Sequence, residues 1–222
     1  AYGGCKIVLN GEYTEPNGNN LPVVFYTIRD CTRDDKRAEF RRDLQVLPLL
    51  WSIKSKPNVK YVPQVFYQCT GDNSPWAVVE RMYGTLADGK ALEYDDRIEL
   101  LWHSACALTW LHKQGWIHRD VKPSNFLLSL VGECKVALSD FGLSLNPQGS
   151  KVSGNAGTLT YQSPEIVCSH GKKEYGQEVD VYSFGITMWE LVYNASRSRV
   201  LNCLSQHMKI PVVDCIITDH TV

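Results

Sequence analysis

Two short stretches decide how this chain of 222 residues reads: His118-Arg119-Asp120-Val121-Lys122-Pro123-Ser124-Asn125 and, fifteen residues beyond Asn125, Asp140-Phe141-Gly142. The first offers a carboxylate at Asp120, an ammonium at Lys122 and an amide oxygen at Asn125; the second offers another carboxylate at Asp140. Phosphoryl transfer needs a group that takes a proton from the attacking hydroxyl, a fixed cation beside the migrating anion, and hard oxygens for Mg²⁺. Asp120 is the candidate base. Lys122 is the candidate catalytic cation, and Asn125 and Asp140 are the candidate metal ligands. Two unrelated turns would not also carry the apolar run Phe126-Leu127-Leu128 directly after the first.

Further downstream, Gly157-Thr158-Leu159-Thr160-Tyr161-Gln162-Ser163-Pro164-Glu165 precedes Asp180-Val181-Tyr182-Ser183-Phe184-Gly185-Ile186-Thr187-Met188-Trp189-Glu190-Leu191. Together these four segments resemble the eukaryotic protein kinase domain of the Ser/Thr type, in the tyrosine-kinase-like or a related group. The resemblance implies an α+β, two-lobed fold: a small antiparallel sheet lobe with one helix, and a larger, mainly helical lobe. It implies ATP and Mg²⁺ as cofactors and a protein Ser/Thr hydroxyl as acceptor, which Lys122 and Thr158 favour over tyrosine. It also implies that Asp180 accepts hydrogen bonds from the backbone of the catalytic loop. Of the residues between Asp140 and Glu165, Ser150 and Ser153 are the candidate activating phosphosites, with Arg119 to bind the phosphate.

The local patterns match such a layout. Lys6-Ile7-Val8-Leu9 and residues 21–28 read as strands of a hairpin, residues 33–50 as a helix with Phe40, Leu44 and Leu47 on one face, and residues 65–69 and 76–79 as two more strands. Residues 95–115 predict a long helix that ends at a glycine. The expected domains are a nucleotide-binding lobe over 1–82, a catalytic lobe over 83–193 lacking its last helices, and an atypical tail over 194–222.

The amino-terminal lobe departs from the family pattern. Setting Tyr26-Thr27-Ile28-Arg29 on the usual V-A-I-K puts Arg29 at the phosphate-binding lysine, Thr27 at the roof, and Asp43 at the helix glutamate. An Arg29 to Asp43 pair could span the usual gap. A second candidate for the cation is Lys6, in Gly3-Gly4-Cys5-Lys6-Ile7-Val8, which is similar to the with-no-lysine kinases, where a glycine-loop lysine reaches back into the phosphate pocket. A solvated strand residue is the other reading of Lys6. For the adenine the resemblance implies Glu80 and Met82 on the hinge, with Val79 as gatekeeper and Val8 and Leu127 sandwiching the ring.

Composition sets limits. A net charge of -1 gives no general attraction to nucleic acid or to anionic membranes, and no run is long and apolar enough for a membrane-spanning segment. A cytoplasmic protein is expected, with eight scattered cysteines as free thiols. The chain reads as truncated at both ends, so a partner that stabilises the incomplete large lobe is expected. Two functions stay open: a protein Ser/Thr kinase, and a truncated pseudokinase that binds or scaffolds without phosphotransfer.

Overall fold

The stretch Glu15-Pro16-Asn17-Gly18-Asn19 closes the first two strands into a hairpin, with Gly18 at a left-handed φ of 88° and its N–H donating to Glu15 O. The structure, a computed structural model, describes residues 6–28, 34–53, 59–71, 74–129 and 135–193. The expected tail over 194–222 therefore lies outside the described residues. The chain divides into two compact units, 1–84 with 127–142 and 85–126 with 143–222.

In the first unit, Lys6–Thr14 (β1), Asn20–Ile28 (β2), Val65–Cys69 (β3) and Trp76–Glu80 (β4) form an antiparallel sheet in the order β1-β2-β4-β3. A bulge between Val65 and Tyr67 lets β3 twist against β4. The helix Asp34–Ser52 (α1) begins with two acidic residues in its first turn and buries Phe40, Asp43, Leu44, Leu47 and Leu50 on one stripe. Asp43 is the charged member of that apolar stripe. A second sheet has the order β5-β6-β7, from Gly84–Thr85 (β5), Phe126–Leu128 (β6) and Val136–Leu138 (β7), and the chain passes from one unit to the other within β5 and β6.

The second unit is helical. Tyr94–Lys113 (α2) buries Leu100, Leu101, Ala107, Leu108 and Leu111, and ends before Gly115 at φ 80°. A short helix, Pro164–Cys168 (α3), starts on a proline, which suits the first turn because its missing N–H would have no partner there. The helix Glu178–Val192 (α4) buries Asp180, Ser183, Ile186, Thr187, Glu190 and Leu191. Ile117, Ile166, Tyr175 and Val179 make one core cluster, and Tyr161 with Ile186 another. Tyr161 Oη donates to Glu190 Oε2 at 2.5 Å, which satisfies a buried carboxylate. The α+β class and the two-lobed arrangement of sheet and helices are as the sequence predicts. No helix among the described residues is long and apolar enough to cross a membrane.

Candidate active site

In the second unit the catalytic stretch is held by one buried carboxylate. Asp180 is fully buried; its Oδ2 accepts from His118 N at 2.7 Å and its Oδ1 from Arg119 N at 2.8 Å. Those bonds fix Arg119 at φ 70°, a conformation that non-glycine residues rarely hold without such restraint. His112 on α2 adds a third contact, Nε2 to Asp180 Oδ2 at 2.9 Å. Nothing in the sequence singled out His112.

Asp120 stands next in line, and its carboxylate is surrounded. Oδ2 takes Lys122 Nζ at 2.6 Å and Asn125 Nδ2 at 3.1 Å; Oδ1 takes both the backbone N and the Oγ1 of Thr158, each at 2.8 Å. Lys122 Nζ also donates to Thr158 Oγ1 at 2.8 Å, so that hydroxyl accepts from the lysine and donates to the carboxylate. Asn125 further donates to Asp120 O at 2.8 Å. The predicted catalytic residues Asp120, Lys122 and Asn125 are thus brought together, with Thr158 as the fourth member. Gly157 must be glycine, because a Cβ there would collide with the Arg119 carbonyl, and its φ is 97°. Gln162 escaped the sequence reading. Its Nε2 donates to Asn155 Oδ1, Ala156 O and Gly157 O, which folds the loop that delivers Thr158.

The first unit carries the second charged cluster. Lys6 Nζ lies 2.8 Å from Asp140 Oδ1 and 3.5 Å from Asp43 Oδ2, while Asp43 Oδ1 accepts from Phe141 N at 2.8 Å. Lys6 is therefore not a solvated strand residue. Burial works against its charge, but Asp43 and then Asp140 more than offset that, and the ammonium is held above the ordinary lysine range. Burial pushes the Asp43 carboxyl up from the ordinary carboxylate range, against the pull of Lys6. Asp140 sits at φ 63°, and its side chain is 42% exposed, a hard oxygen donor within reach of a divalent cation. Gly142 permits this turn, since a Cβ would lie 2.7 Å from Glu39 O.

The strand register corrects one expectation. Lys6 pairs with Ile28 and Val8 with Tyr26, and directly paired residues share a face of the sheet. The face that bears Lys6 and Val8 therefore takes Ile28 and Tyr26 from β2. Thr27 points the other way and donates its Oγ1 to Pro75 O at 2.7 Å. Thr27 therefore does not form the roof above the Lys6 face, where Ile28 stands opposite Lys6; Arg29 lies outside the described residues.

The hinge residues fit a planar, hydrogen-bonding ligand. Val79 is buried and Val8 is 58% exposed on the same sheet. Glu80 uses its carboxylate on Gln64 N at 3.2 Å and on Lys60. The neighbouring amides of Arg81 and Tyr83 donate to Pro22 O and Leu128 O, whereas Met82 N–H and C=O have no partner among the described residues. Leu127 is half-buried in β6. Among the described residues no group of three or more His, Cys, Asp or Glu forms a metal cage.

Comparisons with known proteins agree with this geometry. The family described as protein kinase domain matches residues 29–212. The chain is 39% identical over 112 residues to the Serine/threonine/tyrosine-protein kinase HT1 of Arabidopsis thaliana, covering 50% of this chain and 27% of that protein. It is 35% identical over 139 residues to an Aurora kinase of Candida glabrata, covering 54% of this chain and 37% of that one. The chain thus spans well under half the length of these relatives. Among solved structures, a chain of the CAK complex from Chaetomium thermophilum bound to ATP-gamma-S superposes with a TM-score of 0.70 at 23% identity, over 93% of this chain and 66% of that chain. At that identity the likeness speaks for the fold.

Proposed function

The chain belongs to the protein kinase family, and from that premise we propose that it transfers the γ-phosphate of ATP to the hydroxyl of a protein serine or threonine. The observation that carries this reading is the closed set of bonds joining Asp120, Lys122, Asn125 and Thr158. Asp120 orients the acceptor hydroxyl and takes its proton as the bond to phosphorus forms. Lys122 holds its ammonium beside the same carboxylate, where it offsets negative charge on the transferring group. Thr158 ties both groups to the loop that would present the acceptor, and its place in Gly157-Thr158 supports Ser/Thr over tyrosine.

Lys6 is the proposed phosphate-binding cation, positioned by Asp43. Val8, Leu127, Glu80 and Met82 are the proposed adenine contacts, and Arg29 keeps only the role that sequence assigned it. For Mg²⁺, Asn125 and Asp140 keep the ligand roles that the family resemblance implies. Bound Mg²⁺ would neutralise phosphate charge and act as a Lewis acid. The lobe boundaries 1–82 and 83–193, a cytoplasmic location and a protein partner belong to the same proposal. Exposed Val181 and Met188 on α4 support the partner.

One observation favours the pseudokinase reading: β2 presents Tyr26 and Ile28, where the family pattern has a small roof residue and a lysine. A radiolabelled ATP transfer assay separates the two. Transfer by wild type that is lost in Asp120→Asn supports the kinase. Nucleotide binding without any transfer by wild type would leave the scaffold.

A further inference from the structure

The first unit sets one ammonium, Lys6, against two carboxylates, Asp43 and Asp140. A di- or triphosphate approaching this cluster meets a single side-chain cation, so a further hydrogen-bond donor beside Lys6 would favour it. Resting on the nucleotide reading above, we propose that the phenol hydroxyl of Tyr26 is a phosphate-directed donor that acts beside Lys6.

Several independent observations carry this. Tyr26 pairs with Val8 on β1 and with Ala77 on β4, so its side chain leaves the sheet on the face that carries Lys6 and Val8. Its ring stands edge-on to Phe40 of α1, with centroids 5.6 Å apart, and Lys6 Nζ lies 5.8 Å from the centroid of the same Phe40 ring. Phe40 thereby holds phenol and ammonium on one neighbour. Tyr26 is 9% exposed as a whole; its hydroxyl has no hydrogen-bond partner among the described residues and is not one of their fully buried polar atoms, so it is open to solvent or to a ligand. Burial, with the nearby charges of Asp43 and Asp140, raises its pKa, so it remains an O–H donor across the physiological range.

The test is equilibrium binding, by calorimetry on the whole chain, of Mg²⁺-ADP and of adenosine to wild type, Tyr26→Phe and Tyr26→Ala. Tyr26→Phe keeps the ring against Phe40 and removes one oxygen. It is expected to weaken ADP by about five- to tenfold, the worth of one hydrogen bond, and to leave adenosine unchanged. Equal ADP affinity in wild type and Tyr26→Phe overturns the proposal. So does an equal loss of ADP and adenosine, which marks a structural role, or tighter ADP binding in Tyr26→Ala alone, which marks the ring as an obstruction. A wild type that binds neither ligand overturns the nucleotide reading itself, and this proposal with it.

Discussion

Two of the buried carboxylates, Asp120 and Asp43, are held by opposite means. Asp120 in the second unit is met by four donors from Lys122, Asn125 and Thr158, and its charge is fully answered. Asp43 in the first unit, 3% exposed, is met by one backbone amide and by an ammonium that it shares with a second carboxylate. The first arrangement is saturated with hydrogen bonds; the second is short of positive charge. A saturated site loses function in steps as donors are removed, whereas a charge-deficient site depends on one residue and on pH.

Each side of that contrast can be broken. The largest effect is expected for Asp120→Asn, which keeps the shape but leaves Lys122 without its charge partner and removes the base; phosphotransfer should fall by roughly 10²- to 10⁴-fold, read in a transfer assay, with the fold intact by circular dichroism. Asp180→Ala attacks the support below it. With the His118 and Arg119 amides left unpaired in the core, unfolding in urea should show a loss of about 3–5 kcal/mol.

Lys6→Met tests the charge-deficient side through its pH dependence. The Asp43 carboxyl is already raised by burial, and without Lys6 it rises further. A raised folded-state value means that the folded form binds this proton more tightly than the unfolded chain does, so its contribution to stability is lost as pH rises through that value. The stability deficit of Lys6→Met against wild type should therefore be greatest near neutral pH. It should shrink as pH falls through the Asp43 range, because a protonated Asp43 no longer needs the ammonium; urea titrations across pH 4 to 8, a range of about this width, would show it. A deficit independent of pH would mean that Lys6 acts by packing alone. The smallest effect belongs to Thr27→Val, which removes one half-buried hydrogen bond to Pro75 O on the sheet face opposite Lys6. It should cost about 0.5–1.5 kcal/mol in the same urea measurement and leave nucleotide affinity unchanged.

The two regions also differed in how far the sequence revealed them. The candidate chemistry of the catalytic stretch lies within eight consecutive residues, His118 to Asn125, so its resemblance to the kinase motif was enough to nominate Asp120, Lys122 and Asn125, which the structure brings together. The partners of Lys6 lie 37 and 134 residues away, at Asp43 and Asp140, and only strand register and helix placement bring them together. Register also explains the misplaced roof: matching Tyr26-Thr27-Ile28-Arg29 by letter ignores the two-residue period of a strand, which turns Thr27 to the face away from Lys6. Helix limits were legible to within about two residues, the usual uncertainty of helix ends: 33–50 was expected and Asp34–Ser52 is found, 95–115 was expected and Tyr94–Lys113 is found. His112 stayed hidden because its partner lies 68 residues away, and Gln162 because its contacts, although only five to seven residues back, go mostly to loop carbonyls that no sequence pattern announces.

The proposed phosphate-binding cation comes from β1, through Lys6, and not from β2. The decisive measurement is the Mg²⁺-ADP affinity of wild type, Lys6→Met and the double variant Lys6→Met with Ile28→Lys, since Ile28 is the residue paired with Lys6. Lys6→Met should lose at least about tenfold in affinity, the equivalent of one charge-assisted hydrogen bond, and Ile28→Lys should restore part of it from the facing strand. Unchanged ADP affinity in Lys6→Met would overturn the assignment of Lys6.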